Sequence, residues 1–146
     1  MYRNILVPTD GSRLSDKAIK EAAMLAKAGG AKLVLFHSVP PFQTPVFVEG
    51  MALPNLPKQK AARASANKAR RVLEAAGKKV QGNVPVSGEW AISVSPHEAI
   101  VAAARKRKCD LIVMASHGRS GLSRLLLGSE TQAVLSRANV PVLVVR

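Results

Sequence analysis

Asp110 to Arg146, DLIVMASHGRSGLSRLLLGSETQAVLSRANVPVLVVR, decides how this chain folds. Leu111 to Ala115 is an apolar run of strand length, followed by a glycine-bearing loop. Gly128-Ser129 opens a helix that runs to Arg137, and Val140 to Val145 is a second apolar run of strand length. A loop placed where a buried strand ends leaves backbone N–H groups free to hold phosphate oxygens.

The same alternation extends back to the start of the chain. Asn4 to Pro8 is a short apolar strand, and Asp10-Gly11-Ser12 is a turn able to cap a helix. Leu14, Ala18, Ala22, Leu25 and Ala26 recur at helical spacing until Gly29-Gly30 stops them. Lys32 to Val39 is a continuous apolar run, as expected for a strand covered on both faces. Pro40 to Pro57 holds five prolines and scattered large apolar residues, so it is read as an irregular segment that packs on a neighbouring surface or a protein partner.

Lys58 to Ala76 reads as a helix. Val84 to Val94 reads as a strand whose internal Gly88 implies a bulge or an edge position. Ser95-Pro96 opens a helix that reaches about Lys108, with proline at its first position and Glu98 in its first turn. Strand and helix alternating with short connections imply a parallel sheet covered by helices on both faces. Such a doubly wound α/β domain binds ligands at the carboxyl ends of its strands, where strand order reverses. Pro8-Thr9-Asp10 and Met114-Ala115 are therefore the natural ligand positions. No internal repeat or second domain is visible, so residues 1–146 are expected to form one domain.

Composition narrows the class. Hydrophobic residues make up 47% of the chain and aromatics 3%, so the core must be built from Val, Leu, Ile and Ala. Cys109 is the only cysteine, which rules out an intrachain disulfide or a cysteine-cluster zinc site and makes a reducing cytoplasm the expected compartment. No targeting segment is visible, and no apolar run is long enough to span a bilayer. The formal charge of +13 suits an anionic partner. Many of the basic residues lie on predicted helix faces without interleaved aromatics, however, so they read first as a solvated surface, with nucleic acid an unlikely partner.

At Ala115 the pattern becomes specific. Ala115, Ser116-His117, Gly118, nine further residues, Gly128 and Ser129 resemble the Gly-x2-Gly-x9-Gly-(Ser/Thr) pattern of nucleotide-binding universal stress proteins, with alanine at the leading glycine. Ile5-Leu-Val-Pro-Thr-Asp10, Phe36-His37-Ser-Val39, Ser95-Pro-His-Glu98 and Val140-Pro-Val-Leu-Val-Val145 are similar to other parts of that family. The resemblance covers nearly the whole chain apart from the Pro-rich segment. It implies a Rossmann-like, adenine nucleotide alpha hydrolase-like sheet of five parallel strands ordered 3-2-1-4-5.

It also implies ATP or a related adenine nucleotide, held with or without Mg2+ by a stress-response regulator that hydrolyses it slowly at most. In that reading Pro8, Thr9 and Asp10 lie beside the nucleoside, and the backbone of Ser38 and Val39 reads the adenine edge. Met114, Ala115, His117, Gly118 and Arg119, with the Gly128, Ser129 and Glu130 turn, surround the phosphates, with Arg124 adding charge. A homodimer is expected through the Val140–Val145 edge strand, which would otherwise be open to solvent. A relative without nucleotide, acting through protein contacts, is the competing expectation.

Two residues depart from the ideal site. Ala115 adds a Cβ that matters if its backbone needs positive φ or a close ligand approach. Glu130 would repel an anion if its carboxylate pointed inward, whereas a first-turn acid otherwise stabilises the helix dipole. The remaining constellations read as local structure. Ser116-His117 with Asp10 is a poor hydrolytic triad, because neighbours on one loop rarely orient as nucleophile and base. His37 and His97 read as hydrogen-bonding residues at element ends. Cys109 reads as a packed residue, although the nearby basic residues leave room for a lowered pKa and a redox role.

Overall fold

Strand β1 (Asn4–Pro8) ends in the turn that Ser12 converts into a helix start: the Ser12 hydroxyl accepts from the Ser15 amide at 3.2 Å. The computed structural model describes residues 1–42, 58–119 and 126–146. Helix α1 (Arg13–Gly29) buries Ser15, Ala18, Ile19, Ala22, Ala23 and Ala26, and Gly30 caps it at φ 68°. The buried stripe is rotated from the one expected, since Leu25 is exposed and Ile19 and Ala23 face the core instead. The small alanines let the helix lie close to the sheet.

Strand β2 (Lys32–Val39), helix α2 (Lys58–Gly77) and strand β3 (Val86–Ile92) follow. Helix α3 (Pro96–Lys106), strand β4 (Leu111–Ala115), helix α4 (Ser129–Arg137) and strand β5 (Val142–Val145) complete the order. All five strands are parallel and lie in the order β3-β2-β1-β4-β5, as expected. β3 holds an unbroken register with β2 from Val86 to Ile92, so Gly88 marks an edge strand and not a bulge. A Cβ on Gly88 would sit 3.4 Å from Leu73 of α2, an ordinary van der Waals contact.

Two apolar layers enclose the sheet. Leu33, Leu35, Val7 and Val113 pack with α1 and Ala76 of α2, while Val34, Phe36, Ile112 and Met114 pack with α3 and α4. β1 lies between β2 and β4, and the chain leaves β1 toward one face while reaching β4 from the other. The crevice this reversal opens lies above the carboxyl ends of β1 and β4. Most of the Pro-rich segment, residues 43–57, and residues 120–125 including Arg124 lie outside the described residues. No described helix is long and apolar enough to cross a membrane.

Candidate functional site

The crevice holds a cavity of about 580 Å³. Of the thirteen residues expected to bind, twelve line it: Pro8, Thr9, Asp10, Ser38, Met114, Ala115, His117, Gly118, Arg119, Gly128, Ser129 and Glu130. Val39 does not. It is buried, and its carbonyl accepts from the Ser93 amide at 2.9 Å as β3 leaves the sheet, so of this pair Ser38 alone lines the cavity. Ser15, Phe36, His37, Pro96, Ile100, Leu126, Leu127 and Thr131 also line the cavity without having been expected there. Of these, Ser15 and Thr131 were within reach of a sequence reading, since each is a hydroxyl residue three positions beyond a helix opening. Phe36 and Ile100 meet only through the packing of α3 on β2.

One end of the cavity is the β1–α1 turn. The Asp10 carboxylate accepts from the Ser12 amide through Oδ1 at 2.9 Å and from the Arg119 amide through Oδ2 at 3.1 Å. Burial opposes its ionisation, but hydrogen bonds from Ser12, Ser15 and Arg119 outweigh burial and hold its pKa below the ordinary 3.8. Asp10 is therefore an anion at neutral pH that ties the β1 turn to the β4 loop. Beside it, the Thr9 hydroxyl lies 3.1 Å from the Ser15 hydroxyl and accepts from the Gly11 amide. Buried His37 donates through Nδ1 to the Thr9 carbonyl at 2.8 Å, which makes it the local hydrogen-bonding residue expected.

The other end is the start of α4. The Gly128 amide donates to the Ser116 carbonyl at 2.7 Å and is thereby removed from the set of amides expected to meet phosphate. The first intrahelical bond runs from the Gln132 amide to the Gly128 carbonyl at 3.0 Å. The Ser129, Glu130 and Thr131 amides at the positive end of the helix dipole thus have no partner among the described residues. Gly128 supplies no capping side chain, which leaves this end open toward the cavity.

The two matching glycines are needed for close approach and not for unusual φ. A Cβ on Gly128 would lie 3.1 Å from the His117 Cα and 3.3 Å from the Ser116 carbonyl oxygen. One on Gly118 would lie 2.9 Å from Asp10 Oδ2. Ala115 has no such difficulty. Its φ is not positive, and its carbonyl accepts from the Thr131 hydroxyl at 2.9 Å, pinning α4 to the end of β4.

Glu130 is held away from the open amides. Its Oε2 accepts from the His97 amide at 2.8 Å and from His97 Nδ1 at 2.9 Å, so the carboxylate faces the amino end of α3. Ser116 and His117 do come together, with Oγ 3.1 Å from Nδ1. Ser116 is buried and does not line the cavity, and Asp10 is engaged with backbone amides, so the three do not assemble a nucleophilic site. Cys109 is the packed residue expected. Burial, opposed only by Arg107, pushes its thiol up to about 11, and the neighbouring cations do not activate it.

Comparison with known proteins agrees with this geometry. The sequence model of the universal stress protein family matches residues 1–146. A universal stress protein of Methanocaldococcus jannaschii is 34% identical over 156 residues, covering 100% of this chain and 83% of its own length. Another, from Thermus aquaticus, is 34% identical over 150 residues and covers all of both chains. Among solved structures, a universal stress protein in complex with cAMP superposes with a TM-score of 0.67 at 26% identity, covering 99% of this chain and 97% of that one.

Proposed function

The chain belongs to the universal stress protein family, and on that footing we propose that its cavity binds ATP or a related adenine nucleotide. The observation that carries this reading is the open amino end of α4. Three amides without a partner among the described residues, at the positive end of a helix dipole, line a cavity large enough for a nucleotide. Similarity to a protein solved with cAMP supports adenine as the base.

The nucleoside lies toward Asp10, whose ionised carboxylate has lone pairs left for ribose hydroxyls. The phosphates lie toward Ser129 and Thr131, the Ser129 hydroxyl being available to a phosphate or to an accompanying Mg2+. Arg119 adds a cation: its guanidinium lies against Gly11 at the cavity mouth, where a Cβ would be 3.3 Å away.

The role is ligand sensing with slow hydrolysis at most. Of the two carboxylates of the cavity, Asp10 is a weak base held below the ordinary carboxylate range and Glu130 is turned to His97, so neither is set up as a general base for water. We read residues 1–146 as one cytoplasmic domain that pairs through β5. That edge strand leaves Leu143 40% exposed.

Native mass spectrometry of the purified protein, followed by calorimetry with ATP, cAMP and GTP with and without Mg2+, tests the ligand. A co-purifying adenine nucleotide, or micromolar heat with ATP and none with GTP, is the expected result. No heat and no thermal shift with any of the three would end this reading. Light scattering after size exclusion tests the dimer, and a monomer at micromolar concentration would remove it.

A further inference from the structure

The net charge is not spread evenly over the fold. Helix α1 carries four basic residues against two acidic ones, and α2 carries six against one, giving this layer a surplus of seven. On the opposite side of the sheet α3 and α4 together carry three against two, a surplus of one. Lys60, Arg63, Arg70 and Arg71 are exposed on the side of α2 turned away from buried Ser65, Ala69 and Ala76. None of the four has an acidic partner among the described residues, whereas Lys79 pairs with Asp16, and Lys106 and Arg107 pair with Glu89.

A second feature adjoins that row. Between α2 and the edge strand lies a groove of about 520 Å³, bounded by Arg70, Leu73 and Glu74 of α2 and by Val86, Gly88 and Trp90 of β3. Trp90, the only tryptophan of the chain, is 37% exposed there. The sequence read alone shows basic residues without interleaved aromatics; the fold brings the tryptophan of β3 into one groove with Arg70 of α2. An unpaired row of cations next to a half-exposed indole is the combination that holds a phosphate chain while stacking a base.

We propose that the α1/α2 face binds single-stranded nucleic acid, with phosphates along Lys60, Arg63, Arg70 and Arg71 and one base stacked on Trp90. The contact does not depend on base identity, because the row offers cations for the backbone and a single stacking surface. A lipid surface would use the same cations. The apolar side of α2 is already buried on the sheet, however, so nothing on this helix inserts into a bilayer. The proposal is independent of the nucleotide cavity, which opens at the carboxyl ends of the central strands.

Because the chain has one tryptophan, its intrinsic fluorescence reports this groove alone. Titration with a twenty-residue oligothymidylate should quench Trp90. Neutralising about four phosphates should weaken binding about 50-fold between 50 and 200 mM salt. The triple variant Arg63→Glu, Arg70→Glu, Arg71→Glu should lose at least ten-fold in affinity. Reversing Arg105, Lys108 and Arg137 on the other layer should change it less than two-fold. Trp90→Ala should weaken binding on the order of ten-fold, and Trp90→Phe should restore most of it. Unquenched Trp90, equal loss from the two triple variants, or a duplex of the same length bound as tightly would overturn the proposal. If the α2 variant fails to fold, quenching and its salt dependence in the unaltered protein decide the matter.

Discussion

The two ends of the cavity are built in opposite ways. At the β1–α1 turn the polar side chains find protein partners: Ser12 caps the helix, Asp10 accepts two backbone amides, and Thr9 meets Ser15 and Gly11. At the start of α4 the helix opens on a glycine without a capping side chain, and its first-turn acid is bonded to a different helix. A helix amino end normally satisfies its first amides through side chains or water, and one left open toward a cavity suits an anion. The closed turn supplies rigidity and a fixed negative charge. In the proposed reading the open one holds the phosphates.

Substitutions at the two ends should separate these roles. Gly128→Val has the largest effect. Its side chain meets the His117 backbone at about the 3.1 Å already marked by Cβ, so the α4 amides move off the cavity. Losing two charge-assisted hydrogen bonds should weaken ATP on the order of 100-fold while the circular dichroism spectrum stays that of the folded protein. Retained nucleotide would mean that the open amides are not the phosphate site.

Asp10→Ala comes next, and it should touch both ligand and fold. Two amides lose their acceptor, so denaturant melts should show a loss of about 1–2 kcal/mol, with nucleotide weakened roughly ten-fold. The pH dependence has a definite sign. The folded pKa of Asp10 lies below 3.8, so its contribution is fully present above that value and is lost as pH falls through the folded pKa. The difference between the unaltered protein and Asp10→Asn in acid melts should therefore vanish only at strongly acidic pH.

Gly118→Ala places a Cβ 2.9 Å from Asp10 Oδ2 and should loosen the bond from the Arg119 amide. A few-fold loss of nucleotide is expected by calorimetry, on the order of 1 kcal/mol. Glu130→Gln should run the other way, tightening ATP by up to about five-fold as a nearby negative charge is removed. A weakening instead would assign the Glu130–His97 contact the job of positioning α4. Ala115→Gly is expected to change affinity by less than about two-fold, because the alanine occupies ordinary backbone conformation and its carbonyl already anchors Thr131.

How far each part was legible before the structure depends on the range of the interactions involved. The strands and their order followed from apolar run length, helix punctuation and family resemblance, and twelve of the thirteen expected site residues meet around one cavity. Val39 stays off the cavity, its carbonyl taken by pairing at the sheet edge, which only the position of Ser93 reveals. Leu25 fails because an alanine-rich helix can turn either of two adjacent stripes inward, and the sheet selects the one with Ile19 and Ala23.

The sequence by itself determined the alternating strands and helices, the family, and the two glycines that let a loop and a helix meet. These depend on residues near one another in the chain, where periodicity and turn chemistry act directly. Only the tertiary structure decided where the charges point. Glu130 stands next to Ser129 in the chain yet its carboxylate joins His97, thirty-three positions earlier, and Asp10 reaches across to Arg119. Trp90 comes to lie beside Arg70 by the pairing of an edge strand with β2 under a covering helix. A side chain's electrostatic partner is set by packing between distant elements, and local sequence carries no record of that distance.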